Sequence, residues 1–167
     1  MDGYAEVRRV MRGPDTDEQP QGAELRHFRI RCDGNAEHVL KRAQEVLLVL
    51  LHHPSRDSAS LRSAVPNWFR EACAPAETLE QGRARVEHQR SLPGDQQRRA
   101  GAERPWSLDA WLHWFTDEER IWSWWSARVT DPDTIALTLA TTDWPAPVAA
   151  LEWTFRAAGS AEAEFDA

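Results

Sequence analysis

Three residues whose side chains move protons or hold metals recur at a fixed interval: Asp109, His113 and Asp117. On a helix, spacing of four stacks side chains along one face, where a carboxylate can orient an imidazole for proton transfer. A carboxylate–imidazole–carboxylate ladder can also hold a metal. The same spacing equally suits a solvated face with weak pairing between neighbouring turns, and no nucleophile or further ligand stands nearby. We therefore expect no metal and no cofactor. If Asp109, His113, Asp117 and Arg120 act together, they sit near the mouth of a small-ligand pocket between sheet and helices.

Other reactive side chains read more simply as structure. His52 and His53 end a helix, where a cation offsets the helix dipole, and adjacent histidines on a helix diverge too far to chelate. Cys32 and Cys73 fall within apolar patterns and read as small core residues, too few for a disulfide framework. There is no CxxC, HExxH, GxSxG, P-loop or GxGxxG signature, which excludes the familiar metalloprotease, hydrolase and nucleotide-binding motifs. The arginines between Arg83 and Arg104 lie among Gln, Gly and Pro without aromatic residues. Single-strand binding needs a basic groove with stacking rings, so nucleic acid is not the expected partner and the segment reads as a solvated linker.

Tryptophan is the strongest bias: nine Trp against one Tyr, none before Trp68. Residues 121–130 alternate, separating Ile121, Ser123, Trp125, Ala127 and Val129 from Trp122, Trp124, Ser126 and Arg128. With Thr130 opposite Thr134, the first set shares a face with Ile135, Leu137 and Leu139, a coherent core. Trp122 and Trp124 then project from the other face with Arg128 and Thr138, beside small neighbours at Ala136 and Ala140. Two exposed indoles on a monomer imply a protein partner or a second copy docking there. The plainer alternative is that the linker, the leader or another protomer covers them. A one-residue slip reverses the assignment.

The elements that position these residues follow from periodicity. Residues 1–23 mix charge, Gly and Pro and read as a loose leader, with Val7–Met11 as a short edge strand. Leu25–Cys32 alternates as a half-buried strand, Asp33-Gly34-Asn35 turns the chain, and Ala36–His53 forms a helix with Asn35 as its cap. The last two turns of that helix are apolar nearly all round and should be deeply covered. Pro54 stops it. A short helix follows Pro66, and 76–104 is a polar linker or insertion. Ser107 caps a helix to about Glu118, followed by strands over 121–130 and 135–141 joined by the Asp131-Pro132-Asp133-Thr134 turn. A last helix, opened by Asp143-Trp144-Pro145, stops at Gly159, leaving 160–167 as an acidic tail. The expected fold is an α+β two-layer sandwich: a small antiparallel or mixed sheet of three to four strands, helices mainly on one face, in the path of an incomplete ferredoxin-like plait. One domain spans 24–159.

The 167 residues suit a single domain, and 41% apolar with 28% charged residues is ordinary globular composition. The net charge of −7 opposes general nucleic-acid binding, and Lys41 is the single lysine among 20 basic residues, a bias of GC-rich bacterial coding. The longest aliphatic run, Val46–Leu51, is far short of the roughly 20 residues a membrane span needs. No signal-like core opens the chain, so a cytoplasmic location is expected. The leading expectation is a non-catalytic interaction or self-associating module docking through an aromatic sheet face. An immunity- or antitoxin-type protein, or a ligand-binding or enzymatic domain with a pocket between sheet and helices, are the alternatives.

Overall fold

The computed structural model describes residues 3–53, 58–75, 77–94, 96, 105–116 and 118–164. The helices are α1 (Gly3–Arg12), α2 (Ala36–His52), α3 (Ser58–Ala64), α4 (Asn67–Ala72), α5 (Leu79–Ser91), α6 (Leu108–His113) and α7 (Ala149–Ala158). The strands are β1 (Glu24–Arg31), β2 (Trp122–Asp131), β3 (Thr134–Thr141) and β4 (Glu162–Glu164). They form one sheet in the order β2-β3-β1-β4 with every neighbouring pair antiparallel. Helices pack against it in a two-layer α+β arrangement. No helix of the described residues is long and apolar enough to cross a membrane.

Alternation builds the inner face of the sheet. Phe28 and Ile30 of β1 stand opposite Leu137 and Ile135 of β3, all buried. Against them α2 lays Val39, Ala43, Val46 and Leu47, and α7 lays Leu151 and Phe155, the period-matched stripes of two amphipathic helices. Gly159 ends α7 at φ 109, a left-handed conformation that glycine adopts without the Cβ penalty. Asn35 precedes α2, yet its side chain caps nothing. Its amide instead donates to the Gly159 carbonyl at 3.2 Å, tying the start of α2 to the end of α7.

Beyond residue 160 the expected tail contributes a fourth strand: Glu162–Glu164 pair with Arg29–Arg31 at the sheet edge. Within 76–104, Thr78 caps α5 with a complete capping box, and the helix buries none of its residues. That agrees with a sequence too poor in apolar side chains to join a core.

The N-terminal segment departs most from expectation. In place of a loose leader with an edge strand at 7–11, α1 packs on β2 and α2 and buries Glu6, Arg9 and Val10. What it satisfies is the free edge of β2. The Trp124 N–H donates to Glu6 Oε1 at 2.7 Å, and Arg9 Nε donates to the Trp124 carbonyl at 3.0 Å. An unpaired strand edge is an invitation to aggregate. Here two charged side chains fill the hydrogen-bonding places of a further strand. The remaining charges are balanced: Arg120 Nη2 meets Glu6 Oε2 at 2.6 Å, and Arg9 Nη1 meets Glu18 Oε1 at 2.8 Å.

Glu18 is the keystone of residues 13–23. Arg8 donates to its other oxygen at 2.8 Å, and the Asp15 N–H does so at 3.1 Å. The Arg9 hydrogen bond, joined by the Asp15 backbone and the Arg8 charge, holds its carboxyl below the ordinary glutamate value of about 4.5. A carboxylate depressed in the fold stabilises it above its unfolded pKa, and that contribution disappears as pH falls through the folded value. Hydrogen exchange at 13–23 is therefore expected to accelerate as pH drops below about 4.5, after correction for intrinsic rates, and Glu18→Gln should remove that acid dependence. An unchanged acid response in the variant would show that other groups hold the segment.

Candidate functional site

The aromatic pair is placed opposite to the sequence reading. Val129 stands opposite Ile135 and Ala127 opposite Leu137 as expected, but at the turn itself a register shift sets Asp131, in place of Thr130, opposite Thr134. Between Trp124 and Ser126 the register shifts: Trp124 faces Leu139 and Trp122 faces Thr141, leaving Trp125 as the extra residue of a β-bulge. One inserted residue reverses the phase of everything beyond it. Trp122 and Trp124 thus join Ala127 and Val129 on the helix side, 1% and 0% exposed, and do not form a docking face. Trp124 stacks on Phe155, with centroids 6.1 Å apart. Trp122 ends an aromatic series running through Trp68, Phe69, Trp111 and Phe115, with successive centroids 4.6 to 5.7 Å apart. Trp125 takes the opposite face, under the Arg9 guanidinium at 5.1 Å and the 17–23 segment.

Arg128 and Thr138, grouped with the tryptophans by simple alternation, do lie on the outer face. Arg128 is exposed beside Ala136, and Thr138 meets His27 Nδ1 at 3.1 Å. His27, Arg29 and Arg31 complete that surface, Arg31 being paired with Glu162. One solvated face is the ordinary condition of an antiparallel sheet, so exposure there identifies no partner by itself.

The polar quartet fares differently. Ser107 caps α6, accepting from the Ala110 N–H at 3.3 Å, but the helix ends at His113, short of the expected Glu118. The ladder therefore has no continuous helical face. Asp109 pairs with Arg62 of α3, and His113 Nε2 lies 3.7 Å from Glu119. Arg120 pairs with Glu6, and Asp117 falls outside the described residues. No group of three or more metal-binding side chains occurs among the described residues.

Asp109, His113 and Arg120 nonetheless converge on one cavity of about 320 Å³. Its apolar wall comes from Leu50 and Leu51 in the last turn of α2, Leu61 of α3, and Leu112 and Phe115 at and after α6. Arg62, Asp109, His113, Thr116 and Arg120 supply the polar atoms. The all-round apolar end of α2, expected to be deeply covered, is only half-buried from Leu48 to Leu51. A largely apolar concavity with a few convergent polar groups is the usual form of a small-molecule site. Its volume lies at the small end of the range of roughly 300–1,000 Å³. Arg120 is the most constrained polar member: its side chain is 8% exposed, with the guanidinium 5.2 Å from the Trp122 ring centroid.

Neither cysteine is a ready nucleophile. Burial, then the carboxylates of Asp33, Asp133 and Asp131, push the Cys32 thiol up, and burial pushes up Cys73. Both stay protonated at neutral pH, the unreactive form. His52 Nδ1 donates to the Leu48 carbonyl at 3.0 Å, the structural role its helix end suggests.

Sequence reasoning missed Arg62, Thr116 and the leucine wall. The all-round apolar run Val46–Leu51 was the available signal, since a helix end with more oily faces than neighbours leaves one to cover. Comparison with protein-family models, with curated proteins and with solved structures finds no match for this chain.

Proposed function

We propose that this chain is a non-catalytic binding domain for a small, largely apolar molecule held between α2, α3 and α6. The observation that supports this reading is the cavity itself: a leucine and phenylalanine wall with its polar atoms gathered on one side. Among the described lining residues His113 stands beside Glu119 and no cysteine or serine adjoins it, an arrangement that favours binding over turnover.

Filling the cavity tests the reading. Leu51 is half-buried and lines the space, so Leu51→Trp occupies it with little cost to the core. Toluene or cyclohexanol is expected to bind the native protein saturably, seen by ligand-observed NMR, and to lose that binding in Leu51→Trp while the melting temperature holds. Saturable binding that survives in the folded variant would place the site elsewhere, and no saturable binding to the native protein would contradict the proposal.

A further inference from the structure

Resting on the pocket reading above, we infer that the ligand is uncharged, an aliphatic molecule whose head group is a hydrogen-bond acceptor such as an amide or ester carbonyl, and that Arg120 recognises that head. The argument is an audit of charge. Three groups at the wall carry or can acquire positive charge, and each already has a carboxylate: Arg62 with Asp109, His113 with Glu119, Arg120 with Glu6. Asp109, the anionic group among the described lining residues, is likewise spent on Arg62.

A charged head entering such a wall meets no uncompensated partner among the described lining residues, and an ion taken from water into an apolar cavity without one is strongly penalised. A neutral acceptor escapes that penalty. It still finds a strong donor, because a guanidinium offers five N–H groups and Arg120 commits Nη2 to Glu6. The Arg120 side chain makes no other hydrogen bond among the described residues. Its plane is held by the Glu6 bond and the Trp122 ring, so Arg120 joins the wall of the cavity with little side-chain freedom left to lose. The apolar wall opposite takes the chain.

The test is a calorimetric series at neutral pH on the full chain: hexanamide, hexanol, hexanoate and hexylammonium, which share a tail and differ in the head. Hexanamide is expected to bind at least tenfold more tightly than either ion. In Glu6→Gln/Arg120→Gln, which removes the buried pair without leaving either charge alone, hexanamide should fall to the level of hexanol. Hexanoate or hexylammonium binding as tightly as hexanamide would overturn the charge argument while leaving the pocket reading intact. Unchanged hexanamide affinity in the folded double variant would remove Arg120 from recognition. Absence of binding by all four, hexanol included, would defeat the pocket reading as well. Should the double variant not fold, the native series alone decides the head-group claim.

Discussion

Glu6→Ala is expected to destabilise the fold by about 3–5 kcal/mol, the usual cost of stranding one half of a buried ion pair. Glu6 is 1% exposed. Its two oxygens serve different partners, the Trp124 N–H at 2.7 Å and Arg120 at 2.6 Å. Alanine therefore orphans a buried backbone donor on an edge strand and a guanidinium whose side chain is 8% exposed. Urea denaturation followed by tryptophan emission measures the loss, and Glu24→Ala, at an exposed pair with Arg26, is the control expected to change little. A Glu6→Ala protein as stable as that control would mean that α1 does not clamp β2.

The second large effect concerns the tryptophans. Trp122→Ser/Trp124→Ser is expected to abolish cooperative folding, and Trp124→Ala alone to cost about 3–5 kcal/mol, as for other large core aromatics cut to alanine. The indoles contribute through packing: Trp124 lies nearly parallel to Phe155 at 13°. Its Nε1 is buried with no hydrogen-bond partner among the described residues. Trp124→Phe should accordingly cost far less than Trp111→Phe, since the Trp111 indole donates to the Ala150 carbonyl and to the Thr154 hydroxyl, both at 3.0 Å. Thermal melts of the four variants order these effects. A folded Ser/Ser double variant would return the pair to the surface.

Much of the architecture was legible because its elements obey their periods. The alternation of β1, the apolar stripe of α2, the β2–β3 turn and the Gly159 stop each needed only local chemistry. The bulge at Trp125 did not announce itself. Ser123-Trp124-Trp125-Ser126 carries no glycine or other mark, and either phase of the strand offers a tryptophan to the core. Tertiary demand decided: helices α2 and α7 present an apolar surface that two large rings fill, while Arg9 stands ready to cover the third. Helix α1 escaped notice for a different reason. Its buried positions, Glu6, Arg9 and Val10, have helical spacing, but two of them are charged, so a search for apolar stripes passes over them. Trp124, the strand partner of Glu6 and Arg9, lies more than a hundred residues away, where local patterning has no reach.

The candidate site shows the same division. Asp109, His113 and Arg120 could be picked out because their residue types invite chemistry, and the fold does gather them. The pairing partners Arg62, Glu119 and Glu6 occupy that apparent catalytic set. The pairings of Arg62 and Glu6 depend on α3 meeting α6 and on α1 reaching β2, both long-range events.

Carbon-13-labelled leucine methyl spectra recorded during a hexanamide titration interrogate the pocket most directly. Shifts that saturate together at Leu50, Leu51, Leu61 and Leu112, the leucines that wall the cavity, are the expected result, with Leu137 and Leu139 beneath the sheet unmoved. Silent resonances at those four positions, or changes confined to Leu25 and Leu79 elsewhere on the surface, would contradict a binding site at this place.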